Sequence, residues 1–125
     1  MEDPLRPPPD PGFRLIETCR WMPGEGIAFR ARHLARLERS AARLGIVPQG
    51  AGPALDGVAG EGPLRVRLTC DRQGHVAVET QPFTPLPAGT VWRYAMAHER
   101  VRAADPWRGL KTTERGLYDR ARAAL

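Results

Sequence analysis

The seven residues Leu64–Cys70, Leu-Arg-Val-Arg-Leu-Thr-Cys, constrain the fold more than any other stretch. Their strict alternation is the signature of a strand with one buried face, and it predicts that Leu64, Val66, Leu68 and Cys70 point inward. Asp71-Arg-Gln-Gly74 then reads as a turn, and residues 75–80 as the antiparallel partner. A second hairpin is predicted nearer the start, from a strand at 13–21, a turn at 22–26 and a return strand at 27–30. A helix is expected over about 31–44, because Leu34, Leu37, Ala41 and Leu44 recur three or four apart. Gly45 closes it. A short helix is expected at 53–58, a further strand at 91–97 and a last helix from about Thr113 to the end.

Hairpin, helix, hairpin, strand and helix make an α+β pattern, with helices packed on a mainly antiparallel sheet. Residues 1–11 hold five prolines and read as an irregular lead-in. The α+β domain is expected over 12–105, with a linker and the start of a second-domain helix over 106–125. The chain ends within Ala-Arg-Ala-Ala-Leu, without a glycine or proline stop, so that helix reads as cut and the second domain as absent.

Composition narrows the function classes. The chain has 125 residues, 42% of them hydrophobic and 26% charged, which suits one globular domain and argues against collagen-like, coiled-coil or wholly disordered classes. No apolar run is long enough for a membrane span and the start lacks a signal-peptide pattern, so the cytoplasm is the expected location. Cys19 and Cys70 sit in apolar stretches and read as small buried thiols, with no metal-site spacing.

The net charge is +5 and the pI near 10.2, which raises a nucleic-acid reading. The basic residues are scattered among acids and aromatic content is only 6%, leaving little for bases to stack on. Nucleic acid is not the expected partner. Eighteen of the 19 basic residues are arginine and one, Lys111, is lysine. Arginine cannot lose its proton in a protein, whereas a lysine amine can be shifted downward and attack a carbonyl. Lys111 is therefore a candidate for Schiff-base chemistry, although on composition alone a surface lysine is the commoner case. His33 and Arg36 lie on neighbouring faces of one helical turn, where a guanidinium can fork onto a phosphate or simply be solvated. His75 and His98 have no ligand spacing, and no glycine-rich nucleotide loop, zinc motif or serine elbow occurs.

Three motifs stand in order: Leu-Ile-Glu-Thr at 15–18, His-Leu-Ala-Arg-Leu-Glu-Arg-Ser-Ala-Ala-Arg-Leu-Gly at 33–45, and Leu-Lys-Thr-Thr-Glu-Arg-Gly-Leu-Tyr-Asp at 110–119. Together they resemble the N-terminal half of the class IV aminotransferases. These are fold-type IV pyridoxal-phosphate enzymes that include branched-chain and D-amino-acid aminotransferases and aminodeoxychorismate lyase. The resemblance implies pyridoxal 5'-phosphate as cofactor, Lys111 as the residue joined to its aldehyde, and Arg36 as a phosphate ligand. It places Ile16 and Glu17 on the strand lining the active site, with Leu110 where many relatives have histidine. Arg67 is a candidate carboxylate contact, though an exposed strand arginine is the commoner case. The implied reaction moves an amino group between an amino acid and a 2-oxo acid. The lyase, which yields 4-aminobenzoate and pyruvate, is the alternative within the family. A non-catalytic basic binding domain is the alternative outside it. The resemblance also implies a homodimer, and weak cofactor binding by this chain alone, because in the family the second domain supplies the carboxylate facing the pyridine nitrogen.

Overall fold

The computed structural model describes residues 5–125. Its elements are β1 (Leu15–Met22), β2 (Gly26–Ile27), α1 (Arg30–Arg43), α2 (Ala51–Asp56), β3 (Leu64–Cys70), β4 (Val76–Pro82), a single 3-10 turn (Pro106–Gly109) and α3 (Gly116–Ala123). The four strands form one antiparallel sheet in the order β2-β1-β3-β4. This is the α+β architecture expected from the sequence.

The alternation of β3 sets the register of the whole sheet. Leu15 lies opposite Cys70, Cys19 opposite Val66 and Trp21 opposite Leu64, so the buried residues of β1 and β3 share one face. On that face lies α1, whose Leu37, Ala41 and Leu44 are buried and whose Leu34 is half-buried against the same cluster. Phe13, Leu55 and Ile46 complete the core. Gly45, at φ 68°, makes the left-handed turn that ends α1. At the β3–β4 turn Gly74 combines φ 89° with a close approach, since a Cβ there would sit 2.0 Å from the Val47 carbonyl oxygen. Only glycine fits.

Four local expectations need correction. The return strand of the first hairpin is two residues long instead of four. Phe29 adopts φ 54°, which swings the chain out of the sheet and starts α1 at Arg30. The short helix begins at Ala51, with Gly50 in the left-handed conformation before it. Pro53 is accommodated in its first turn, where a missing N–H costs nothing. Residues 91–97 form no strand: Val91, Tyr94 and Met96 are 86%, 91% and 85% exposed. Alternation alone does not make a strand when no ladder partner lies alongside, and Pro85 and Pro87 stiffen the link that would fold it back onto β4. Lastly, α3 starts at Gly116, three residues late, because Thr113 is engaged elsewhere.

Cys19 and Cys70 are free thiols, 4% and 0% exposed. Burial pushes each up from the ordinary 9.0 to about 11, with Glu17 adding to the shift at Cys19 and Asp71 at Cys70. The folded chain thus holds both protons more tightly than the unfolded chain. The associated stability is whole below pH 9 and is lost as the pH climbs through about 11. We expect the urea midpoint to stay level to pH 9 and to fall above it, with Cys70→Ala flattening part of that fall. At pH 8 a thiol reagent should titrate both cysteines rapidly in urea and neither in buffer.

Candidate functional site

The chemistry-bearing residues converge where the late segment 110–113 returns to β1. Met22 and Trp21 at the far end of β1 pair with β2, which leaves the near end of the same edge open. The segment fills it. Ile16 N–H donates to the Lys111 carbonyl at 2.9 Å, Thr113 N–H donates to the Arg14 carbonyl at 3.0 Å, and Leu15 bridges Thr112. The Thr113 hydroxyl oxygen accepts from Arg14 N–H at 2.9 Å, and the buried Thr112 hydroxyl oxygen accepts from Glu114 N–H at 3.0 Å. The two threonines after the lysine therefore satisfy backbone groups that would otherwise be stranded beside the sheet. Upstream, Trp107 meets Phe13 edge-on with ring centroids 6.1 Å apart, and Asp105 Oδ1 accepts from Trp107 N–H at 2.9 Å. This tacks the preceding turn to the core.

Lys111 is fixed by its neighbours on both sides. Its Nζ donates to Thr18 Oγ1 at 3.1 Å. Burial lowers its pKa below the ordinary lysine value; Glu17 pulls the other way, while the Arg36 and Arg115 guanidinium groups lower it further.

Glu17 is the second centre. Strand alternation turns it to the α1 side of the sheet, where it is 1% exposed. Arg36 grips it with two hydrogen bonds, Nε to Oε2 at 2.8 Å and Nη2 to Oε1 at 2.7 Å. His33 Nδ1 lies 2.7 Å from Oε1. A buried carboxylate needs such partners, and the i, i+3 spacing of His33 and Arg36 delivers both from one helical turn. The hydrogen bond to Glu17 in turn raises the Arg36 pKa above the ordinary arginine value.

Arg36 also reaches the cavity. Two of its donors are committed to Glu17 and the rest are left for the cavity wall, where its side chain stays 43% exposed. That cavity, of about 660 Å³, is lined by Arg36, Trp107, Arg108, Lys111, Arg115 and Tyr118 among others. Ile16 is buried but stands apart from the main core cluster, on the sheet face opposite Glu17. Arg67 is not brought to the Lys111 cavity. It lies opposite Thr18 and Glu79 in the register and lines a smaller depression with them.

Thr18, Trp107, Arg115 and Tyr118 went unread in the sequence. Thr18 had a signal, since alternation places it on the face opposite Glu17. Arg115 stands four residues after the lysine in the quoted motif, and nothing in its spacing singled it out. Among the described residues no cluster of three His, Cys, Asp or Glu side chains is suited to a metal ion, and no helix is long and apolar enough to cross a membrane.

No family model matches this chain, and no curated protein does. Among solved structures it is similar to a "putative amino-acid aminotransferase" from Mesorhizobium loti, with a TM-score of 0.80 and 38% sequence identity. The match covers 90% of this chain and 56% of the other, so the chain spans little more than half the length of that relative. Over that stretch the two share the α+β fold and more than a third of their residues, and this chain is aminotransferase-like in structure.

Proposed function

We propose that this chain is the lysine-bearing portion of a class IV aminotransferase that uses pyridoxal 5'-phosphate to move an amino group from an amino acid to a 2-oxo acid. One observation carries the reading. The only lysine in an arginine-rich chain is held beside β1 on a cavity wall, with its pKa lowered by burial and by two cations. Similarity to part of an aminotransferase supports it.

The residues present suit such a cofactor. An aldehyde needs an amine that is neutral part of the time, a phosphate needs a guanidinium, and a flat ring needs a cavity wider than itself. Lys111 would hold the aldehyde carbon and Arg36 the phosphate. When bound, the pyridine ring supplies an electron sink for bonds breaking at a substrate α-carbon.

The chain's own part is positioning and proton transfer. The backbone ladder to residues 14–16 fixes the Lys111 main chain, and the Thr18 hydroxyl fixes the direction of Nζ. Nζ, once neutral, can take a proton from a group beside it and return it. Glu17 steadies the Arg36 guanidinium, so that its exposed side faces the cavity without having to be ordered on binding.

The test uses the chain with pyridoxal 5'-phosphate and borohydride. We expect a visible absorption band on mixing and, after reduction, one adduct on the peptide bearing Lys111. Labelling confined to the N-terminal amine would overturn the reading.

A further inference from the structure

We propose that Arg115 binds the anionic group of an aldehyde ligand whose carbonyl carbon is taken by Lys111. The inference rests on the reading of Lys111 above and adds a second anchor to it. Arg115 shares the cavity wall with Lys111, four residues downstream and immediately before α3. Its guanidinium lies over the Tyr118 ring, 5.7 Å from the centroid, and Tyr118 lines the same cavity. Stacking on an aromatic face holds a guanidinium in one plane while leaving its in-plane N–H donors open to a ligand.

The charge balance points the same way. Among the described residues, the groups that act on Lys111 are Glu17 and Cys19 from β1, Arg36 from α1, and Arg115. Glu17 is already matched by Arg36 at 2.7 Å, and His33 shares it. Among the described residues, the carboxylate paired with Arg115 is Asp119, and loosely, with Nε 3.9 Å from Oδ1. Of the two cations beside the lysine, Arg36 is tied to a buried acid and Arg115 is not. Asp105 and Glu114 also line the wall, but neither is paired with Arg115, so of these two cations Arg115 offers an incoming anion more open donors. Its guanidinium fork suits a phosphate or a carboxylate.

The chemistry read out is a covalent trap. The Lys111 amine adds to the aldehyde carbon, water leaves, borohydride delivers hydride to that carbon, and the nitrogen takes up a proton. Lys111 is the sole lysine, so the α-amine is the chief competing primary amine. Two aldehyde pairs separate the possible anions: pyridoxal 5'-phosphate against pyridoxal for a phosphate, and glyoxylate against acetaldehyde for a carboxylate. Within each pair the ratio of Lys111 labelling cancels any change in the amine's own pKa. It therefore reports anion binding and not the general state of the site.

We expect Arg115→Gln to lower the ratio by about tenfold in one pair or both, the size of a lost charge-assisted contact. Arg122→Gln, on α3 but off the cavity wall, should leave both ratios unchanged. Wild-type labelling at Lys111 with ratios unmoved by Arg115→Gln overturns this proposal alone. Absence of wild-type labelling at Lys111 by any of the four aldehydes overturns the parent reading, and this one with it.

Discussion

Replacing Lys111 with arginine is expected to reduce borohydride-trapped pyridoxal 5'-phosphate at that position at least ~100-fold, to background. The substitution keeps the positive charge and the long stem but removes the one side chain here that can present a neutral amine. The main-chain ladder to residues 14–16 is untouched, because Lys111 joins it through its carbonyl. Stability should therefore change by less than about 1 kcal/mol. Rescue sharpens the test. In a Lys111→Cys chain, aminoethylation of the new thiol rebuilds a lysine-like amine, while Cys19 and Cys70 are shielded by burial. Labelling should return with the amine. A Lys111→Arg chain that still gave the visible band would show that the cofactor amine lies elsewhere.

The second large effect is on stability. Arg36→Met should cost about 3 kcal/mol, roughly 10 °C in Tm for a domain of this size. The reason is asymmetric burial: Glu17 is 1% exposed, and without Arg36 its carboxylate keeps, among the described residues, only His33. Fully buried pairs lose ~3–5 kcal/mol when one partner goes; solvent at the 43%-exposed Arg36 side chain keeps the figure at the low end. Adding Glu17→Leu to Arg36→Met removes the stranded charge and should recover about 2 kcal/mol. Urea unfolding of the wild type, both single variants and the double variant closes the cycle. A cost below about 1 kcal/mol for Arg36→Met would mean that the pair is held by its surroundings and does not support them.

The contrast between these two sites explains how far the sequence could be read. Elements whose partners are near in the chain were legible. The alternation of β3 placed Leu64, Val66, Leu68 and Cys70 in the core, and the stripe of α1 placed Leu37, Ala41 and Leu44 against them. The same periodicity misled at 91–97, because a pattern states which face a residue would bury and not whether anything covers it. For the site, lysine and arginine stood out by type, and the structure brings both to one cavity. Their partners did not. That Arg36 closes on Glu17 depends on a strand face meeting a helix face. That Lys111 rests on Thr18 depends on a loop returning across nearly the whole chain. Neither distance is written in local spacing.

That return has a consequence in time. Lys111 and the hydroxyl that receives it are 93 positions apart. Closing a loop of that length costs roughly 4 kcal/mol of chain entropy, which only the assembled sheet offsets. Until the ladder forms, the amine is an ordinary solvated lysine, almost fully protonated near neutral pH and slow toward carbonyl compounds. On the proposed function, a chain leaving the ribosome carries its amine in this solvated state. Completion of the fold buries the amine and lowers its pKa.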